Sequence, residues 1–508
     1  MRERIGIIVW FAGVLFMGLA TTGCQRQPAD GAIRFGVPNL PENFDPRFAS
    51  DAISSRVNRL LYARLVDFDS AWRPVPALAT WTRLGPRHYR FHLKPKRRDF
   101  SNGDRLTSAD VVATYRSILD ENSGSPHRIA LGNVRALRAL DIDTLDLLLK
   151  RPDPLAPALL VHGILPARLL AEGHDFRARP VGSGPFALEP GADSSQVSLR
   201  RRADDLRLRF VRVADPLVRV MKLGHGEIDL LQNDLPPELV GWLASRPGLS
   251  MQRAAGGNFS YLGFNLDDEA TGDPRVRRAI ASAIDREAVR HYLFQDHVRL
   301  ASGLLPPEHW AGYRGAAGFQ YDPALARRLL ADAGYDDEHP LHLVYKTSSD
   351  PFRLRIATII QAQLRGVGVD VDIASHDWGT FFGDIKAGRF QLYSLAWVGV
   401  NTPDIFRYVF HSESLPPHGA NRGRLRDTRV DALIEQAERQ PDMRSAAASY
   451  RRLQQRLLAL LPYVPLWYED QYAFTREDIA GYRVSRDGRF DALARVRRVK
   501  QAMPDHGR

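Results

Sequence analysis

The sequence predicts an α/β protein of more than one domain, and three observations support this prediction. Residues 342–345 and 369–373 are strand-like and flank a helical segment over 352–364, which is the order of a strand–helix–strand unit with parallel strands. Residues 390–397 form an uncharged apolar run with aromatic residues, as expected of the next buried strand in that sheet. The chain of 508 residues is too long for one hydrophobic core, so we expect two to three domains.

The N-terminus has the composition of an export signal. A basic start precedes an uncharged, mostly apolar run over residues 5–20, which is short for the roughly 20 residues that span a bilayer. Cys24 is the one cysteine of the chain and cannot form an internal disulfide. The segment resembles a bacterial lipoprotein signal, with Thr21 where such signals usually carry Leu. We predict a signal peptide over 1–23, lipid modification of Cys24 and a tether over 24–32; a plain signal peptide or a retained anchor is the alternative.

The first folded elements show clear periodicities. Residues 33–37 are strand-like, residues 57–65 have the apolar spacing of a helix, and residues 89–93 alternate as a strand with one buried face does. Thr107 is suited to the N-cap of the next helix, and Asp110 three residues on suits the positive end of the helix dipole.

The segment over residues 180–186, Pro-Val-Gly-Ser-Gly-Pro-Phe, is predicted to cross between domains as a hinge. Its glycines permit tight turns and close backbone approach. It is not a phosphate-binding loop, because no Gly-Lys-Ser/Thr follows and no helix is opened. Ser183 also lacks the Gly-x-Ser-x-Gly frame of a nucleophile elbow.

Two helices in the middle of the chain carry explicit start signals. A strand over residues 261–265 precedes Asp273, a good N-cap, and Pro274, which suits the first helical position. Asp322 starts the second helix in the same way, and Gly334 ends it. The last part of the chain adds two helices and a strand, predicted over residues 430–439, 446–460 and 463–467.

The polar loop after the strand over residues 390–397 is the candidate binding loop. Trp397 ends the strand, and residues 398–404 read Val-Gly-Val-Asn-Thr-Pro-Asp. A strand that leads into a polar loop is a common place for ligand contacts in α/β folds. Core packing is the alternative for Trp397. An N-cap of a helix over residues 405–410 is the alternative for Asp404.

Composition and motifs argue against several function classes. The net charge is +11, but the basic residues are scattered and none interleave with aromatics as a nucleic-acid groove requires, so we predict no nucleic-acid binding. No His-Glu-x-x-His, cysteine pair or Walker motif occurs, and no Ser–His–Asp set is suggested by spacing. His411 and His418 are separated by a Pro-containing loop and make a poor metal pair. We therefore predict no enzyme, no cofactor and no metal site.

A set of short segments occurs in an order and spacing that together resemble one family. They are residues 43–46 (Asn-Phe-Asp-Pro), 100–103, 106–111, 181–186, 261–265, 275–280, 283–286, 305–307 and 321–323. No single segment is specific, but the whole set resembles the large extracytoplasmic solute-binding proteins of peptide- and nickel-type ABC transporters, family 5, which include oligopeptide- and dipeptide-binding proteins. The resemblance extends from about residue 33 to about residue 482.

This resemblance implies a two-lobed periplasmic-binding-protein fold with mixed sheets, whose first lobe is split into two subdomains. Solute is enclosed when the lobes close about a hinge. The implied boundaries are residues 33–62, 184–262 and 467–508 (the last with the tail) for the first subdomain of lobe I, 63–183 for its second subdomain, and 263–466 for lobe II.

The resemblance also implies where solute contacts lie. Peptide binders of the family carry an Asp three residues after the Trp, and this Asp accepts the free amine of the peptide; here that position is Val400. Asp404 is the substitute acceptor for the amine, and Asn401 is a hydrogen-bond partner for a neutral group, while a surface loop is the alternative for His127. The implied contacts lie near Ala52 and at Ser50, His127, Tyr261, Trp397, Val400, Asn401 and Asp404.

The function implied is that of a substrate-binding lipoprotein of an ABC importer. It would capture a peptide or peptide-like solute and deliver it to a membrane permease, as a periplasmic monomer held at the membrane by the lipid on Cys24. Two alternatives stay open. One is an extracytoplasmic ligand sensor of the same fold. The other is a binder of a non-peptide solute such as an opine, an oligosaccharide or a metal chelate.

Overall fold

The computed structural model describes residues 31–499 except 97, 192 and 316–318. The predicted signal peptide, the lipidation site Cys24 and most of the tether lie outside the described residues. In the part of the chain that is described, no helix is long and apolar enough to cross a membrane.

The described chain alternates short helices with strands. The strands are β1 (Ile33–Val37), β2 (Val66–Phe68), β3 (Pro74–Pro76), β4 (Ala79–Gly85), β5 (His88–Leu93), β6 (Val134–Ala139), β7 (Thr144–Leu149), β8 (Phe186–Leu188), β9 (Gln196–Arg201), β10 (Arg207–Arg212), β11 (Leu230–Gln232), β12 (Leu249–Phe264), β13 (Val298–Leu300), β14 (Leu341–Ser348), β15 (Val369–His376), β16 (Leu392–Trp397), β17 (Tyr463–Arg476), β18 (Ile479–Ala480) and β19 (Arg497–Arg498). The α-helices are α1 (Ala52–Leu61), α2 (Ser108–Leu119), α3 (Ala167–Ala171), α4 (Pro216–Gly224), α5 (Pro237–Ala244), α6 (Pro274–Ala283), α7 (Arg286–Ala288), α8 (Pro323–Asp332), α9 (Pro351–Arg365), α10 (Trp378–Ala387), α11 (Ile405–Phe410), α12 (Thr428–Glu438) and α13 (Met443–Leu460). A π-helix (Val289–Leu293) and two 3₁₀ turns (Ala156–Leu159 and Asp491–Arg495) complete the set.

One large mixed sheet runs through the molecule. Its strand order is β15-β14-β16-β12-β17-β11-β1-β10-β9-β8, and β13 pairs with β17 off this path. β14 pairs in parallel with both β15 and β16, which confirms the predicted strand–helix–strand unit and the next strand of its sheet. The long strands β12 and β17 are antiparallel and connect the two halves of the sheet. A separate four-stranded sheet, β4-β5-β7-β6, lies in the N-terminal part.

The buried hydrophobic residues fall into clusters on either side of these long strands. Three clusters are built almost entirely from residues 33–251 and 472–496, and we call this part the first lobe. Two clusters are built mainly from residues 259–468, which we call the second lobe. Trp72 and Leu155 come from the chain of the first lobe but pack in a cluster of the second. The α/β class with mixed sheets is therefore confirmed, whereas the exact domain boundaries stay predictions.

Helix starts follow their predicted caps. The Asp273 and Asp322 carboxylates accept hydrogen bonds from the backbone N–H groups of Arg275 and Leu325 at 2.7 and 2.8 Å. The Asp110 carboxylate accepts from the backbone N–H of Thr107 at 2.7 Å, which closes the start of α2. Such side-chain bonds replace the intrahelical partners that the first N–H groups lack.

The first helix is displaced from its prediction. It starts at Ala52, because the Asp51 carboxylate caps it by accepting from the Ser54 N–H at 2.8 Å, and it ends at Leu61. The predicted helix over residues 57–65 was therefore wrong at both ends. The Leu61 carbonyl accepts from the N–H of Gly184 at 2.8 Å, so a distant segment takes the bond that a longer helix would have used.

Close backbone approach explains the glycines of the predicted crossing. A Cβ at Gly182 would lie 2.1 Å from the Leu61 carbonyl oxygen, and one at Gly184 would lie 2.4 Å from that of Leu60. These distances are shorter than any normal van der Waals contact. The crossing and the end of α1 therefore pack main chain against main chain, as predicted for this segment.

Candidate functional site

The loop over residues 398–404 lies where the two lobes meet. It joins β16 to α11, and both elements belong to the second lobe. From the first lobe, Leu155 packs against the cluster that also contacts Trp397 and Val400. The ring of His309 hydrogen-bonds the Asn401 carbonyl at 3.2 Å and lies 5.7 Å from the ring of Trp72, a residue of the first-lobe chain. The predicted binding loop therefore lies beside residues of both lobes, with part of it exposed to solvent.

Trp397 supports a cation at the start of this loop. Its indole is only partly buried, and the guanidinium of Arg422 lies 4.8 Å from the ring centroid. The same guanidinium lies 5.1 Å from the ring of Phe382 and donates to the Tyr261 hydroxyl at 3.3 Å. The contacts of this guanidinium in the described part of the chain include no ion pair with a carboxylate. Two aromatic faces thus hold an arginine whose charge is not neutralised by an acidic group.

Two carboxylates mark the other end of the loop. Asp404 accepts from the Thr402 hydroxyl, and Asp153 of the first lobe accepts from the Leu155 N–H at 2.8 Å. Burial raises the pKa of both groups above their ordinary values. The negative charge of Asp404 also raises the pKa of Asp153, and the charge of Glu438 raises the pKa of both. Asp404 is nevertheless exposed to solvent, so its desolvation is partial. Neither carboxylate forms an ion pair with a basic side chain of the described chain.

The N-cap alternative for Asp404 fails in one respect. Helix α11 does begin at Ile405, as the sequence predicts. The Asp404 side chain, however, makes no capping bond, and its backbone is helical rather than extended. Its carboxylate instead accepts from the Thr402 hydroxyl within the loop, and because Asp404 is exposed it can also be reached by another partner.

Two polar atoms near the loop lack partners. The Trp397 Nε1 and the Asn401 Oδ1 are buried, and neither makes a hydrogen bond within the described part of the chain. Leaving such a group unpaired costs on the order of 1–3 kcal/mol. Val400 instead packs its aliphatic side chain on the second-lobe cluster. The loop thus offers one unused donor and one unused acceptor beside an apolar wall.

Tyr261 lies in the core below the loop. It is fully buried, stacks on Tyr463 with ring centroids 4.0 Å apart and meets Tyr393 edge-on at 5.8 Å. Burial raises the pKa of its hydroxyl. Its contact with the loop region passes through Arg422, so the predicted direct solute contact of Tyr261 stays a prediction.

Ser50 and His127 form a separate group in the first lobe. Ser50 is exposed beside Asp51, the cap of α1, and the His127 ring bonds the Ala49 carbonyl at 3.1 Å. His127 also packs on His162 with ring centroids 4.6 Å apart. Burial and the neighbouring ring lower the pKa of His162 to about 3, and burial lowers that of His127. No hydrogen bond, ion pair or ring contact of the described residues joins this group to the loop.

Sequence reasoning missed Arg422 and Asp153. Neither residue was among the predicted solute contacts, and Asp153 carried no signal at all. A hint was present for Arg422, because a long arginine side chain in a loop can lie over the face of an aromatic ring such as that of Trp397. In the described part of the chain no group of three or more His, Cys, Asp or Glu side chains is placed to hold a metal ion.

Comparisons with known proteins agree on one family. A sequence model described as bacterial extracellular solute-binding proteins, family 5 Middle, matches residues 73–414. Di/tripeptide-binding protein 2 of Pseudomonas aeruginosa is 28% identical over 96% of this chain and 98% of its own length. The peptide transport periplasmic protein SapA of Salmonella typhimurium is 28% identical over 96% of both chains.

Solved structures of the same architecture superpose over most of the chain. The substrate-binding protein CtaP of Listeria monocytogenes matches with a TM-score of 0.83 and 22% identity, covering 92% of this chain and 99% of its own. NikZ of Campylobacter jejuni, solved with Ni(L-His), matches with a TM-score of 0.78 and 22% identity over 92% and 100% of the two chains. At this identity the similarity establishes the fold, a two-lobed binding protein. The chain therefore belongs to family 5 of the bacterial extracellular solute-binding proteins.

Proposed function

We propose that this protein captures a short peptide with a free amine and a free carboxylate between its lobes and delivers it to the permease of an ABC importer. One observation carries the proposal. The binding loop has an arginine without an acidic partner at its start, Arg422, and carboxylates without a basic partner at its end, Asp404 and Asp153. A zwitterionic ligand neutralises both ends with charge-assisted hydrogen bonds.

In this interpretation, the residue that accepts the peptide amine lies later in the loop than it does in other peptide binders of the family. Val400 cannot accept a hydrogen bond from an ammonium group, but Asp404 lies four residues later and has no competing cation. Asp153 brings a second negative charge from the opposite lobe. An ammonium bound between them would join the lobes, so that binding favours the closed form. The peptide-binding names of the relatives support the same class of solute.

When the lobes close, they would rotate about the two long strands β12 and β17. The pairing of β12 with β17 is irregular between Ala254 and Asn258, where a Cβ at Gly256 would lie 2.0 Å from the Glu469 carbonyl oxygen. Bulges are points where strands bend. Two contacts connect the lobes away from this point: Arg355–Glu238 at 2.8 Å, and Arg83 to the Pro441 carbonyl at 2.5 Å. These contacts would open when the lobes separate.

The delivery step requires a position near the membrane. We infer that the chain is exported and held there through a lipid on Cys24, as the N-terminal pattern indicates. Mass spectrometry of the processed N-terminus tests this anchor directly.

Calorimetric titration with three peptides tests the proposed ligand. Trialanine should bind, whereas N-acetyl-trialanine and trialanine amide should each bind more weakly, because each loses one charged end. The loss on amidation should disappear in Arg422→Gln, since the arginine is the carboxylate partner. If trialanine does not bind while agropinic acid or Ni(L-His) does, the solute is not a peptide and the proposal fails.

Trp397→Ala provides a separate test of the loop. We expect trialanine affinity to fall by at least about 1 kcal/mol, because the indole both lines the site and positions Arg422. Trp242→Ala is the matched control, since Trp242 is 41% exposed on α5 of the first lobe. Unchanged affinity with a lowered unfolding midpoint would assign Trp397 to the core instead.

A further inference from the structure

A second cavity lies in the first lobe, away from the binding loop. Its volume is ≈ 1660 Å³. It is bounded by the end of α1 with β2, the loops after β3 and β5, the crossing over residues 183–185, the turn after β9, and the C-terminal segment over 481–497. Its size exceeds the roughly 300–1,000 Å³ of an ordinary ligand pocket. None of the residues assigned above to the binding loop lines it.

The floor of this cavity is an ion-pair network. Arg59 contacts Asp491 at 2.6 Å and Asp67 at 3.1 Å, while Arg64 contacts the same two carboxylates at 2.9 and 2.5 Å. Arg489 also pairs with Asp67. The arginines of the floor are therefore neutralised from within the protein.

The rim of the cavity carries an excess of positive charge. Ten basic but only three acidic side chains line the cavity as a whole. Arg202 donates only to the carbonyls of Asp99, Gly184 and Phe100, which leave its charge uncompensated. Four further rim residues are exposed, and their side chains have no hydrogen-bond or ion-pair partner within the described residues: Lys96, Arg483, Arg495 and Arg497.

A buried hydroxyl adds a neutral donor to this wall. Ser183 lines the cavity, is 7% exposed, and its Oγ has no hydrogen-bond partner within the described chain. Guanidinium groups match the oxygen geometry of phosphate with paired N–H donors. Several converging arginines beside an unused hydroxyl are the donor set of a phosphate site.

We infer that this first-lobe cavity is a second binding site, for a phosphate-bearing ligand, distinct from the peptide site between the lobes. Rim cations that protrude into solvent would contact the phosphate oxygens first. Their separation across a wide opening suits a ligand with more than one negative group, or a head group presented by a surface. Ten basic residues from segments that are far apart in the sequence thus line one cavity in the folded chain.

The position of the cavity favours a membrane lipid as the source of the phosphate. Arg498, the neighbour of the rim residue Arg497, donates to the Ala32 carbonyl at 3.2 Å, so the folded body begins beside the rim. Eight residues separate Ala32 from Cys24, a span of at most about 29 Å when extended. If Cys24 is lipidated, which rests on the proposed function, the tether holds this basic rim near the membrane surface, where anionic head groups attract it.

Titration of the full chain in detergent tests the site with soluble probes. Dihexanoyl phosphatidylglycerol and inorganic pyrophosphate should both bind, and dihexanoyl phosphatidylcholine should bind more weakly because its choline opposes the rim charge. Arg483→Gln combined with Arg497→Gln should raise both dissociation constants about tenfold, as two charge-assisted contacts are lost. Both side chains are exposed, so the unfolding midpoint should not change.

The matched control removes two exposed arginines of the second lobe, by Arg278→Gln with Arg328→Gln. Equal weakening in the control would mean non-specific charge and would overturn the inference, as would absence of binding by both anionic probes. If pyrophosphate binds and phosphatidylglycerol does not, the cavity is still a phosphate site, but its ligand is a soluble phosphate ester and not a lipid. The rim variant should bind trialanine with unchanged affinity. Titration with trialanine therefore tests the peptide site separately from the phosphate site.

Discussion

The Asp404→Asn variant should bind trialanine about ten- to hundredfold more weakly than the unmodified protein at pH 7. An ionised hydrogen bond contributes on the order of 1.5–3 kcal/mol, and asparagine keeps the shape but removes the charge that the ammonium needs. The loss should be absent for N-acetyl-trialanine, which has no ammonium. Calorimetric titration with both peptides measures this difference.

Asp372→Asn is the matched control, because Asp372 is exposed on β15 of the second lobe. It should leave both affinities unchanged. An equal loss of trialanine and N-acetyl-trialanine affinity in Asp404→Asn would show that the carboxylate supports the loop rather than the amine. If Asp404→Asn retains full affinity for trialanine, Asp153 is the acceptor of the amine instead. The variant Asp153→Asn then tests this assignment in the same way.

The same substitution should stabilise the protein in the absence of ligand. Burial raises the pKa of Asp404 in the folded protein, so the folded state holds its proton at pH values where the unfolded chain has lost it. Folding stability therefore falls as the pH rises from the ordinary Asp value through the raised pKa, and the whole penalty is present at pH values above the raised pKa. Removing the charge removes the penalty, and the urea midpoint of ligand-free Asp404→Asn should increase.

Affinity for the peptide amine should follow the opposite pH dependence. The ammonium pairs only with the ionised carboxylate, so trialanine binding should weaken as the pH falls through the raised pKa of Asp404. In Asp404→Asn this decline should be shallower, with Asp153 as the remaining titrating group. An identical pH profile in both proteins would exclude Asp404 from the site.

Elements with local signals were predictable from the sequence. The caps at Asp273 and Asp322 work because the side chain and the N–H groups that it binds are adjacent in the chain. The parallel unit of β14, α9 and β15 follows from periodicity and connection rules alone. The end of α1 was not predictable, since it depends on a hydrogen bond from Gly184, more than a hundred residues away.

The residues of the candidate site also divide into those with a local signal in the sequence and those without one. Trp397 and Asp404 were found because a strand and its polar loop are contiguous, and the structure places that loop between the lobes. Arg422 reaches Trp397 across a separate loop, and Asp153 comes from the other lobe, so no spacing along the chain joins either to the site. The first-lobe cavity depends on six segments distributed from α1 to the C-terminal region. Residues that only folding brings together cannot be identified as one site from their spacing in the sequence.

Gly184→Ala should lower the free energy of unfolding by about 3 kcal/mol, the upper end of the usual effect of overpacking. The added Cβ would lie 2.4 Å from the Leu60 carbonyl oxygen and 2.5 Å from the Leu61 carbonyl carbon. These are main-chain atoms at the end of α1, so no side chain can rotate away. The clash would also break the 2.8 Å bond from the Gly184 N–H to the Leu61 carbonyl. Urea unfolding and limited proteolysis at the crossing measure the loss.

Gly383→Ala is the matched control and should act in the opposite direction. Gly383 lies inside α10, and a Cβ there would meet nothing within 4 Å. Alanine in an open helical position stabilises by about 0.4–1 kcal/mol, because it reduces the freedom of the unfolded chain and favours the helix. Equal stability of the two variants would show that the crossing can move away from α1. In that case the first lobe would be held by its ion pairs, and the close packing of the two main chains would not be required.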